Sequence, residues 1–282
     1  GCAGQLGVEL RREFSQRGHT VAGWDRLQVD ITSAAAVESA IATFDPQVVV
    51  NAAAYNQVDV AETEPAAAFQ INALAVRNLA LACRQCGARL VHFSTDYVFD
   101  GKAGRPYTEH DAVHPLGAYA VSKLAGEHYA QAYLNDALVV RTSGVFGIGA
   151  LKTARGNFIE LMLRLATEGK PIRVVEDHVG SPTYAPLLAS RTADLVERSV
   201  SGVVHCGGGT AISWYEFAGM IFRESGLEPN LRPTTDREYR TPARRPKYTA
   251  LANARLAEIG LDPMPPLDEA LRAYLEQRRQ AV

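Results

Sequence analysis

The sequence is short of cysteine and of net charge, and each shortage excludes classes of protein. Four cysteines in 282 residues are too few for a disulfide scaffold. A net charge of −2 provides no basic surface for a nucleic acid or an acidic membrane. No apolar run stands out as long enough to cross a bilayer, so we expect no membrane span. Neither a nucleic acid nor a membrane is therefore expected as a partner.

Two of the cysteines, Cys83 and Cys86, form a C-x-x-C pair. Such a pair can be a redox centre or half of a metal site, but no second Cys/His pair follows at ligand spacing. The segment has a helical pattern, so we interpret the pair as two small apolar residues near a helix end. Free thiols fit a reducing, cytoplasmic setting.

The composition is that of a globular domain, with 47% hydrophobic and 21% charged residues. Helical and strand patterns alternate through the first half. Helices are predicted at 5–17, 33–43, 65–86 and 116–134, and strands at 19–23, 48–51, 89–94 and 137–142. This alternation predicts an α/β fold, with a doubly wound parallel Rossmann-type sheet and a smaller C-terminal substrate lobe.

The pattern becomes less regular after about residue 147, and this change suggests the domain boundary. Residues 1–147 are predicted to form the dinucleotide-binding Rossmann domain. Residues 148–282 are predicted to form mostly the substrate-binding lobe, with a segment at about 184–206 returning to the sheet. The stretch 149–155 is unusually polar for a link between the two.

A glycine-rich loop opens the chain, with Gly1, Gly4 and Gly7 in the spacing G-x-x-G-x-x-G around Gln5 and Leu6. Glycines allow a tight turn and let a pyrophosphate approach the N-terminus of the following helix, where amide groups favour anions. We therefore assign these residues to a dinucleotide cofactor. A tight turn without a ligand is the alternative.

Acidic residues at the end of the next predicted strand bear on the choice of cofactor. Asp25 lies about twenty residues beyond the loop, where dinucleotide folds place a carboxylate on the adenosine ribose, which favours NADH. Arg26 could instead bind the 2′-phosphate of NADPH. Asp30 could accept a hydrogen bond from the adenine amine, or simply lead into a helix. The cofactor is thus predicted to be NADPH or NADH.

Small residues follow the strand at 48–51. Asn51, Ala52 and Ala53 would let a flat cofactor lie against the backbone, so they join the predicted cofactor site. The glycine loop has no strand before it in this sequence. Because the first strand of such a sheet is central, we expect roughly six to ten apolar, β-branched residues upstream of Gly1.

The catalytic prediction rests on Tyr119 and Lys123, which form Y-x-x-x-K inside a predicted helix. The i, i+4 spacing places phenol and ammonium on one face. A nearby ammonium lowers the pKa of a phenol, which suits it to move a proton during carbonyl reduction. Thr95 follows Ser94 at the carboxyl edge of a strand, where a hydroxyl can meet a substrate carbonyl. Tyr and Lys at this spacing are common on the surfaces of helices. The glycine loop, the strand-end hydroxyl and Y-x-x-x-K together are more specific than any one of them.

In these motifs the sequence resembles the extended short-chain dehydrogenase/reductase family, and within it the dTDP-4-dehydrorhamnose reductases. The resemblance covers nearly the whole chain. Its most specific parts are Ser-Thr-Asp-Tyr-Val-Phe at 94–99 and Pro-Ala-Arg-Arg-Pro at 242–246. It implies that a reduced nicotinamide delivers hydride to C4 of a 4-keto-6-deoxy sugar nucleotide.

The same resemblance implies roles for individual residues. Thr95 and Tyr119 would polarise the carbonyl, Tyr119 would donate the proton, and Lys123 would tune Tyr119 and bind the nicotinamide ribose. The residues implied to bind the substrate, a dTDP-sugar, are Val58, Thr95, Asp96, Tyr97, Tyr119, Asn157 and Arg244. A homodimer is compatible with the resemblance. Some members bind Mg²⁺ between subunits, but no carboxylate cluster in this sequence requires a metal, and none is predicted.

Two features qualify the resemblance. Many relatives have Trp after Arg-Thr-Ser, where the indole contacts substrate, whereas this chain has Gly144, which leaves the particular sugar open. Arg244 and Arg245 could clamp a diphosphate or could form a solvated basic loop. We expect Asp59 and Glu62 to orient loops, and the isolated His178 and His205 to have structural roles.

Other functions remain open from the sequence. A 4,6-dehydratase needs Glu after Thr-Asp, and Tyr97 stands there instead, which argues against dehydration. A 4-epimerase uses the same triad with a tightly bound cofactor. A relative of the family is a non-catalytic regulatory subunit of methionine adenosyltransferase, so a binding role is the third alternative.

Overall fold

The computed structural model describes residues 1–153 and 156–281. Ala154 and Arg155, at the end of the polar stretch 149–155, and Val282 lie outside the described residues. The strands are β1 (Val48–Asn51), β2 (Arg89–Thr95), β3 (Leu138–Thr142), β4 (Val145–Phe146), β5 (Ile172–Val175), β6 (Val179–Gly180), β7 (Thr183–Tyr184), β8 (Gly202–His205), β9 (Ile212–Ser213) and β10 (Leu231–Thr234).

The helices agree with the predicted ones in the first half and continue through the second. They are α1 (Gln5–Gln16), α2 (Ala34–Phe44), α3 (Pro65–Phe69), α4 (Ala75–Cys86), α5 (Ala118–Tyr133), α6 (Phe158–Thr167), α7 (Ala185–Glu197), α8 (Trp214–Glu224), α9 (Ala254–Glu258) and α10 (Leu267–Ala281). Ser33 caps α2, since its side chain accepts a hydrogen bond from the Ala36 amide.

A parallel sheet in the order β1–β2–β3–β8 forms the centre of the fold. Successive residues of its strands point to opposite faces, so Leu90 packs into one core and Val91 into another. Helices α2, α4 and α5 cover the first face, and α1 and α7 the second. Helices on both faces of a parallel sheet confirm the predicted doubly wound α/β fold.

A second apolar core lies beyond the sheet and gathers α6, α8, α10 and β5. Its most buried side chains include Phe146, Ile159, Phe217 and Tyr274. Helix α7 and strand β8 belong to the sheet layers: α7 packs against α1, although its Leu187 also contacts the second core, and β8 pairs with β3. The chain therefore leaves the sheet after β3 and comes back to it.

Residues 19–23 form no strand, so the strand predicted there is wrong for this structure. Together with β1 they line a cavity of about 440 Å³, whose wall includes Val21, Val48 and Val50. A strand exists only where its backbone groups bond to a neighbour, which a local apolar pattern cannot supply. The upstream strand expected from the sequence stays a prediction.

The helix predicted at 65–86 is continuous, but residues Gln70–Leu74 between α3 and α4 form a π-helical turn. By length and composition this helix is long and apolar enough to cross a membrane. The expectation that the chain contains no such segment was therefore wrong. Half of its most apolar window is buried inside the protein, against neighbours that include α2 and α5. Its apolarity is therefore that of a core helix.

The C-x-x-C pair lies at the end of α4, as predicted. Cys83 is fully buried, and both thiols are free. Burial raises the pKa of Cys83 to about 12, which keeps it protonated and unreactive.

A buried ion pair fixes α5 against the sheet. The Glu127 carboxylate on α5 accepts hydrogen bonds from Arg141 Nε at 3.0 Å and Nη2 at 2.7 Å, and another from the Ser94 hydroxyl. Arg141 belongs to β3 and Ser94 to β2, so one carboxylate ties the helix to both central strands. The opposite side of the same turn is equally close-packed: a Cβ added at Gly126 would lie 2.1 Å from the Asn72 carbonyl oxygen in the π-helical turn.

This close approach makes Gly126→Ala a test of the packing of α5. The methyl group would force α5 away from the π-helical turn, so we expect the free energy of unfolding to fall by about 1–3 kcal/mol. Urea unfolding measures the loss. Gly219→Ala on α8 is the matched control, because its Cβ would meet only Leu231 Cδ2 at 3.9 Å. That change should stabilise by about 0.5–1 kcal/mol through helix propensity. A Gly126→Ala protein as stable as the Gly219→Ala protein would contradict the packing argument.

Candidate active site

A cleft of about 1200 Å³ lies between the carboxyl edge of the sheet and the second apolar core. Thr95 and Thr142 line it from the sheet, Tyr119 from α5, and Phe158 and Phe217 from the second core. A smaller cavity of about 150 Å³ is lined by Thr95 and Tyr119 together with residues from the C-terminal half. The carboxyl edge of an open parallel sheet is where such folds bind ligands.

The structure brings Thr95 and Tyr119 together but places Lys123 behind them. Lys123 is 3% exposed, and its ammonium donates a hydrogen bond to the Phe93 carbonyl at 2.5 Å. Burial lowers the pKa of Lys123 to about 8, against the opposing effect of the Glu127 charge. Both residues belong to α5, where the i, i+4 spacing places them on one face of the helix, as the sequence predicted.

Glu62 and Asn72 hold the first turns of α5. The sequence had suggested an orienting role for Glu62 and had given no indication of Asn72. Glu62 Oε1 accepts a hydrogen bond from the Ala118 amide at 2.8 Å, which agrees with the orienting role predicted for Glu62. Asn72, in the π-helical turn, bonds both backbone groups of Tyr55 and donates to the Ser122 hydroxyl at 3.0 Å. The Y-x-x-x-K helix is thereby tied to the loop after β1. π-Helical turns often occur at functional sites.

Asp96 is the buried centre of a hydroxyl network. Its carboxylate accepts hydrogen bonds from Ser143 Oγ at 2.8 Å, from Thr95 Oγ1 at 3.1 Å and from the Thr249 hydroxyl. Burial raises the pKa of Asp96 to about 6, although the three hydroxyl bonds oppose the shift. Sequence analysis missed Ser143 and Thr249. Thr249 follows the Pro-Ala-Arg-Arg-Pro motif by three residues, and that proximity was the only available signal.

The two arginines considered for a diphosphate clamp have different surroundings. Arg245 makes a two-pronged ion pair with Asp59, with Nη1 and Nη2 at 3.0 and 2.8 Å from its carboxylate oxygens. Asp59 thus orients the 241–246 loop, as predicted. Arg244 is exposed and lines the cleft. Asn157, also expected to bind substrate, lines the cleft while its side chain caps α6 by accepting from the Glu160 amide.

The remaining predicted substrate residues, Val58 and Tyr97, line both the cleft and the smaller cavity. The Tyr97 and Tyr119 rings meet edge to face, with 6.3 Å between their centroids. Burial raises the pKa of Tyr97, so its phenol stays protonated near neutral pH.

The glycine loop packs directly on the segment after β1. A Cβ on Gly1 would lie 2.4 Å from the Ala52 carbonyl carbon, and one on Gly7 would lie 2.1 Å from the Gly1 carbonyl oxygen. Gly4 is the N-cap of α1 and provides no capping side chain, so no side chain of the N-cap competes with a ligand for the first amides of the helix. The predicted cofactor residues of the loop and of residues 51–53 are therefore adjacent in space.

Other predicted cofactor residues in this region are anchored locally. Gln5 donates to the Val145 carbonyl at 3.0 Å, and Leu6 packs against the sheet core. The Asn51 amide oxygen accepts from the Ala53 backbone at 3.1 Å. These contacts shape the loop and leave the assignment to a cofactor a prediction.

The three residues considered for the adenosine end of the cofactor lie on the surface or near it. Asp25 accepts hydrogen bonds from the Leu27 and Gln28 amides through one carboxylate oxygen, and Arg26 is exposed. Asp30 accepts from the backbone and hydroxyl of Thr32, and these bonds hold its pKa below the usual value. These bonds shape the turn before α2, and the assignment of Asp30 to the adenine stays a prediction.

Gly144 forms part of the cavity wall opposite an aromatic residue from another element. Its backbone has φ of +50°, and an added Cβ would lie 3.1 Å from Trp214 Cη2. Trp214 lines both the smaller cavity and the cleft. Sequence analysis noted Gly144 but had no means of connecting it with a residue seventy positions away.

A cluster of potential metal ligands borders the cleft, which sequence analysis did not foresee. The ligand atoms of Asp177, His178 and Asp236 lie within 4.8 Å of one another. The Lys247 ammonium already lies at 2.8 Å from Asp177 and 3.3 Å from Asp236. His178 was expected to be isolated and hydrogen-bonded, but its buried Nε2 lacks a hydrogen-bond partner among the described residues. His205 does have a structural contact, to the Tyr107 carbonyl at 3.1 Å.

Comparison with known proteins gives matches along the whole chain. Residues 1–280 match the family model described as the RmlD substrate binding domain. The chain is 38% identical to the spore coat polysaccharide biosynthesis protein SpsK of Bacillus subtilis, over 100% of this chain and 97% of that protein. It is 40% identical to a dTDP-4-dehydrorhamnose reductase of Streptomyces griseus, over 94% of this chain and 88% of that protein.

A solved structure of a dTDP-4-dehydrorhamnose reductase is also similar to this chain over nearly its full length. The crystal structure of dTDP-4-dehydrorhamnose reductase from Bacillus anthracis, in complex with NADP, superposes with a TM-score of 0.93. The two chains are 35% identical, and the match covers 98% of this chain and 97% of that one.

The raised pKa of Asp96 predicts a pH dependence of stability. A carboxyl whose pKa is higher in the folded state contributes stability below its unfolded pKa, and that contribution is lost as the pH rises through about 6. From about pH 4 to about pH 7, we expect an Asp96→Asn variant to gain about 2–3 kcal/mol relative to the parent. Urea unfolding at several pH values measures the difference.

Asp100→Asn is the matched control for this prediction. A backbone hydrogen bond from Lys102 lowers the pKa of Asp100, so its contribution to stability is present at neutral pH and lost as the pH falls. The Asp100→Asn variant should therefore lose stability relative to the parent as the pH rises. Equal pH profiles for the two variants would show that folding does not raise the pKa of Asp96.

Proposed function

The chain belongs to the RmlD substrate binding domain family, and we propose that it is an NAD(P)H-dependent sugar-nucleotide 4-ketoreductase. Its substrate is dTDP-4-dehydro-L-rhamnose, whose C4 keto group it reduces to give dTDP-L-rhamnose. The observation that carries the proposal is that Tyr119 and Thr95 line the same cavity at the carboxyl edge of the sheet. The likeness to named reductases over nearly the full length supports the same reaction.

The proton for the reaction comes from Tyr119. When bound, the reduced nicotinamide supplies the hydride that forms the new C–H bond at C4. The carbonyl electron pair then moves to oxygen, and the Tyr119 hydroxyl transfers its proton to that oxygen. A phenol has a pKa of about 10 and transfers this proton more readily when a cation lies near. Lys123 supplies the positive charge from behind, held by the Phe93 carbonyl.

Thr95 polarises the same carbonyl. Its hydroxyl donates to Asp96 in the present arrangement and accepts from the Tyr97 amide. To donate to a substrate oxygen, it must rotate away from Asp96. Asp96 keeps two other hydroxyl donors, Ser143 and Thr249, so its carboxyl is not left unpaired by that rotation.

The cofactor is held at the N-terminus of α1. The N-terminus of α1, which has no capping side chain, suits a pyrophosphate, and the absence of side chains at Gly1 and Gly7 lets the loop fold closely on itself and on Ala52. Asp25 has one carboxylate oxygen outside the hydrogen bonds of its own turn, which suits the adenosine ribose. Arg26 is exposed beside it and suits a 2′-phosphate, so both NADPH and NADH are accommodated.

The substrate extends from the small cavity along the cleft. Val58, Asp96 and Tyr97 line the sugar end. Arg244, exposed at the cleft, is the arginine left for the diphosphate, because Arg245 is paired with Asp59. We place the cofactor on residues 1–147 with α7 and β8, and the sugar nucleotide largely on the rest of 148–282. The free thiols suit the cytoplasm.

Tyr119→Phe tests the proton donor. The variant keeps the ring and loses the transferable proton, so we expect turnover to fall by roughly a hundredfold or more. Turnover is measured as loss of reduced nicotinamide absorbance with dTDP-4-dehydro-L-rhamnose. Cofactor affinity, measured by calorimetry, should change little. Full activity in this variant would remove Tyr119 from its role.

Activity of the parent distinguishes the proposed function from its alternatives. Net oxidation of cofactor by the keto sugar is expected of a reductase, whereas a 4-epimerase would interconvert sugars without net oxidation. A folded, cofactor-binding chain without turnover that copurifies with a synthetase would favour the regulatory-subunit alternative.

Asp25→Ala and Arg26→Ala form a matched pair for cofactor choice. Asp25→Ala should weaken NADH binding and improve the relative use of NADPH, because a carboxylate near the ribose repels a 2′-phosphate. Arg26→Ala should do the opposite, because it removes the cation that pairs with that phosphate. The ratio of kcat/KM for the two cofactors is the readout. Ratios unchanged in both variants would place the adenosine end elsewhere.

A further inference from the structure

Trp214 is the largest side chain on the wall of the small cavity, and the local structure fixes where it lies. It is the first residue of α8, and the helix begins with a capping box between Ser213 and Glu216. The Trp214 amide donates to the His178 carbonyl at 3.1 Å, next to the antiparallel pairing of β6 and β9. The helix start is therefore anchored on both sides of the indole.

Aromatic neighbours hold the indole from behind. The Phe158 ring meets it at 4.7 Å between centroids with an interplanar angle of 63°, and Phe217 lies at 6.2 Å. Both phenylalanines belong to the second apolar core or pack against it. The indole thus has aromatic contacts with the second core, and Trp214 as a whole is only partly buried.

Gly144 lies in close contact with the indole. A Cβ there would lie 3.1 Å from Trp214 Cη2, closer than most Cβ contacts, and the φ of +50° is unfavourable for a larger residue. A side chain at 144 would require the indole to shift by a few tenths of an ångström. The glycine and the tryptophan are therefore coupled, although they lie on different elements.

The small cavity lined by Trp214 and Gly144 has polar groups on one part of its wall and an aromatic surface on another. Thr95, Asp96, Ser143 and Thr249 place hydroxyl and carboxyl groups on one side. Trp214 places an apolar aromatic surface on another. A hexose has the matching asymmetry, because its hydroxyls project from the ring edge while one ring face presents C–H groups. Aromatic side chains bind such faces by burying them from water.

We propose that Trp214 is the specificity-determining residue of the sugar pocket, and that its indole, which lies in the space that Gly144 leaves open, packs against the apolar face of a hexose bound in the small cavity. This inference rests on the proposed function, since it takes the occupant of the cavity to be the sugar of a sugar nucleotide. Trp214 positions the sugar and takes no part in the proton transfer.

Fluorescence of Trp214 itself provides the first test. The chain has two tryptophans, Trp24 and Trp214, so a Trp24→Phe protein reports on Trp214 alone. It is titrated in the absence of reduced cofactor with dTDP-L-rhamnose and, separately, with dTDP. We expect the sugar nucleotide to change the emission and dTDP to leave it nearly constant. Equal responses to both, or no response to the sugar nucleotide, would overturn the proposal.

Kinetics of substituted proteins provide the second test. Trp214→Ala should raise KM for the sugar nucleotide roughly tenfold, while KM for the reduced cofactor stays within about twofold. Trp214→Phe should recover part of the loss, because it keeps an aromatic face. Tyr215→Phe, the adjacent change on the same helix, is the matched control, and thermal unfolding verifies that each variant is folded. Equal rises in both KM values, or no rescue by Phe, would indicate a merely structural role.

The two proposals can fail separately. Turnover of dTDP-4-dehydro-L-rhamnose with an unresponsive Trp214 would leave the reductase function standing and overturn the role of Trp214. A fluorescence response of Trp214 to dTDP-L-rhamnose without turnover of the keto sugar would support the contact between Trp214 and the sugar and would overturn the assigned reaction.

Discussion

The buried ion pair between Glu127 and Arg141 is the contact on which the arrangement of the site depends. It joins α5 to β3, and through the Ser94 hydroxyl it also joins α5 to β2. Removing one partner of such a pair typically costs several kcal/mol, because the other is left as a buried, uncompensated charge. Lys123 lies one helical turn from Glu127 and Tyr119 two turns, so the same contact sets the height of both above the strand ends.

The site keeps two further ionisable groups in low-dielectric surroundings. Burial moves the pKa of Asp96 up to about 6 and that of Lys123 down to about 8, so both groups are closer to neutral pH than they would be in water. Shifts of this kind are common where a site must move protons. Here each shifted group is also hydrogen-bonded, Asp96 by three hydroxyls and Lys123 by a backbone carbonyl, which holds both in place.

The cleft exists because the second apolar core stands opposite the sheet. The sheet and α5 supply the hydroxyls that act on the carbonyl, and the second core supplies Trp214 with Phe158 and Phe217 behind it. The chemistry and the selection of the sugar are thus assigned to different parts of the chain. This division agrees with a chain that leaves the sheet after β3 and returns to it through α7 and β8.

The sequence by itself determined the features that are local: the helix with Tyr119 and Lys123, the strand ending at Thr95, the glycine loop and the parallel α/β fold. These depend on spacing along one element, which a sequence displays directly. Only the tertiary structure decided that residues 19–23 form no strand, that Ser143 and Thr249 bond Asp96, and that Trp214 faces Gly144. Each of these depends on a partner from a distant segment, and hydrogen bonds and packing between distant segments are fixed only when the chain folds.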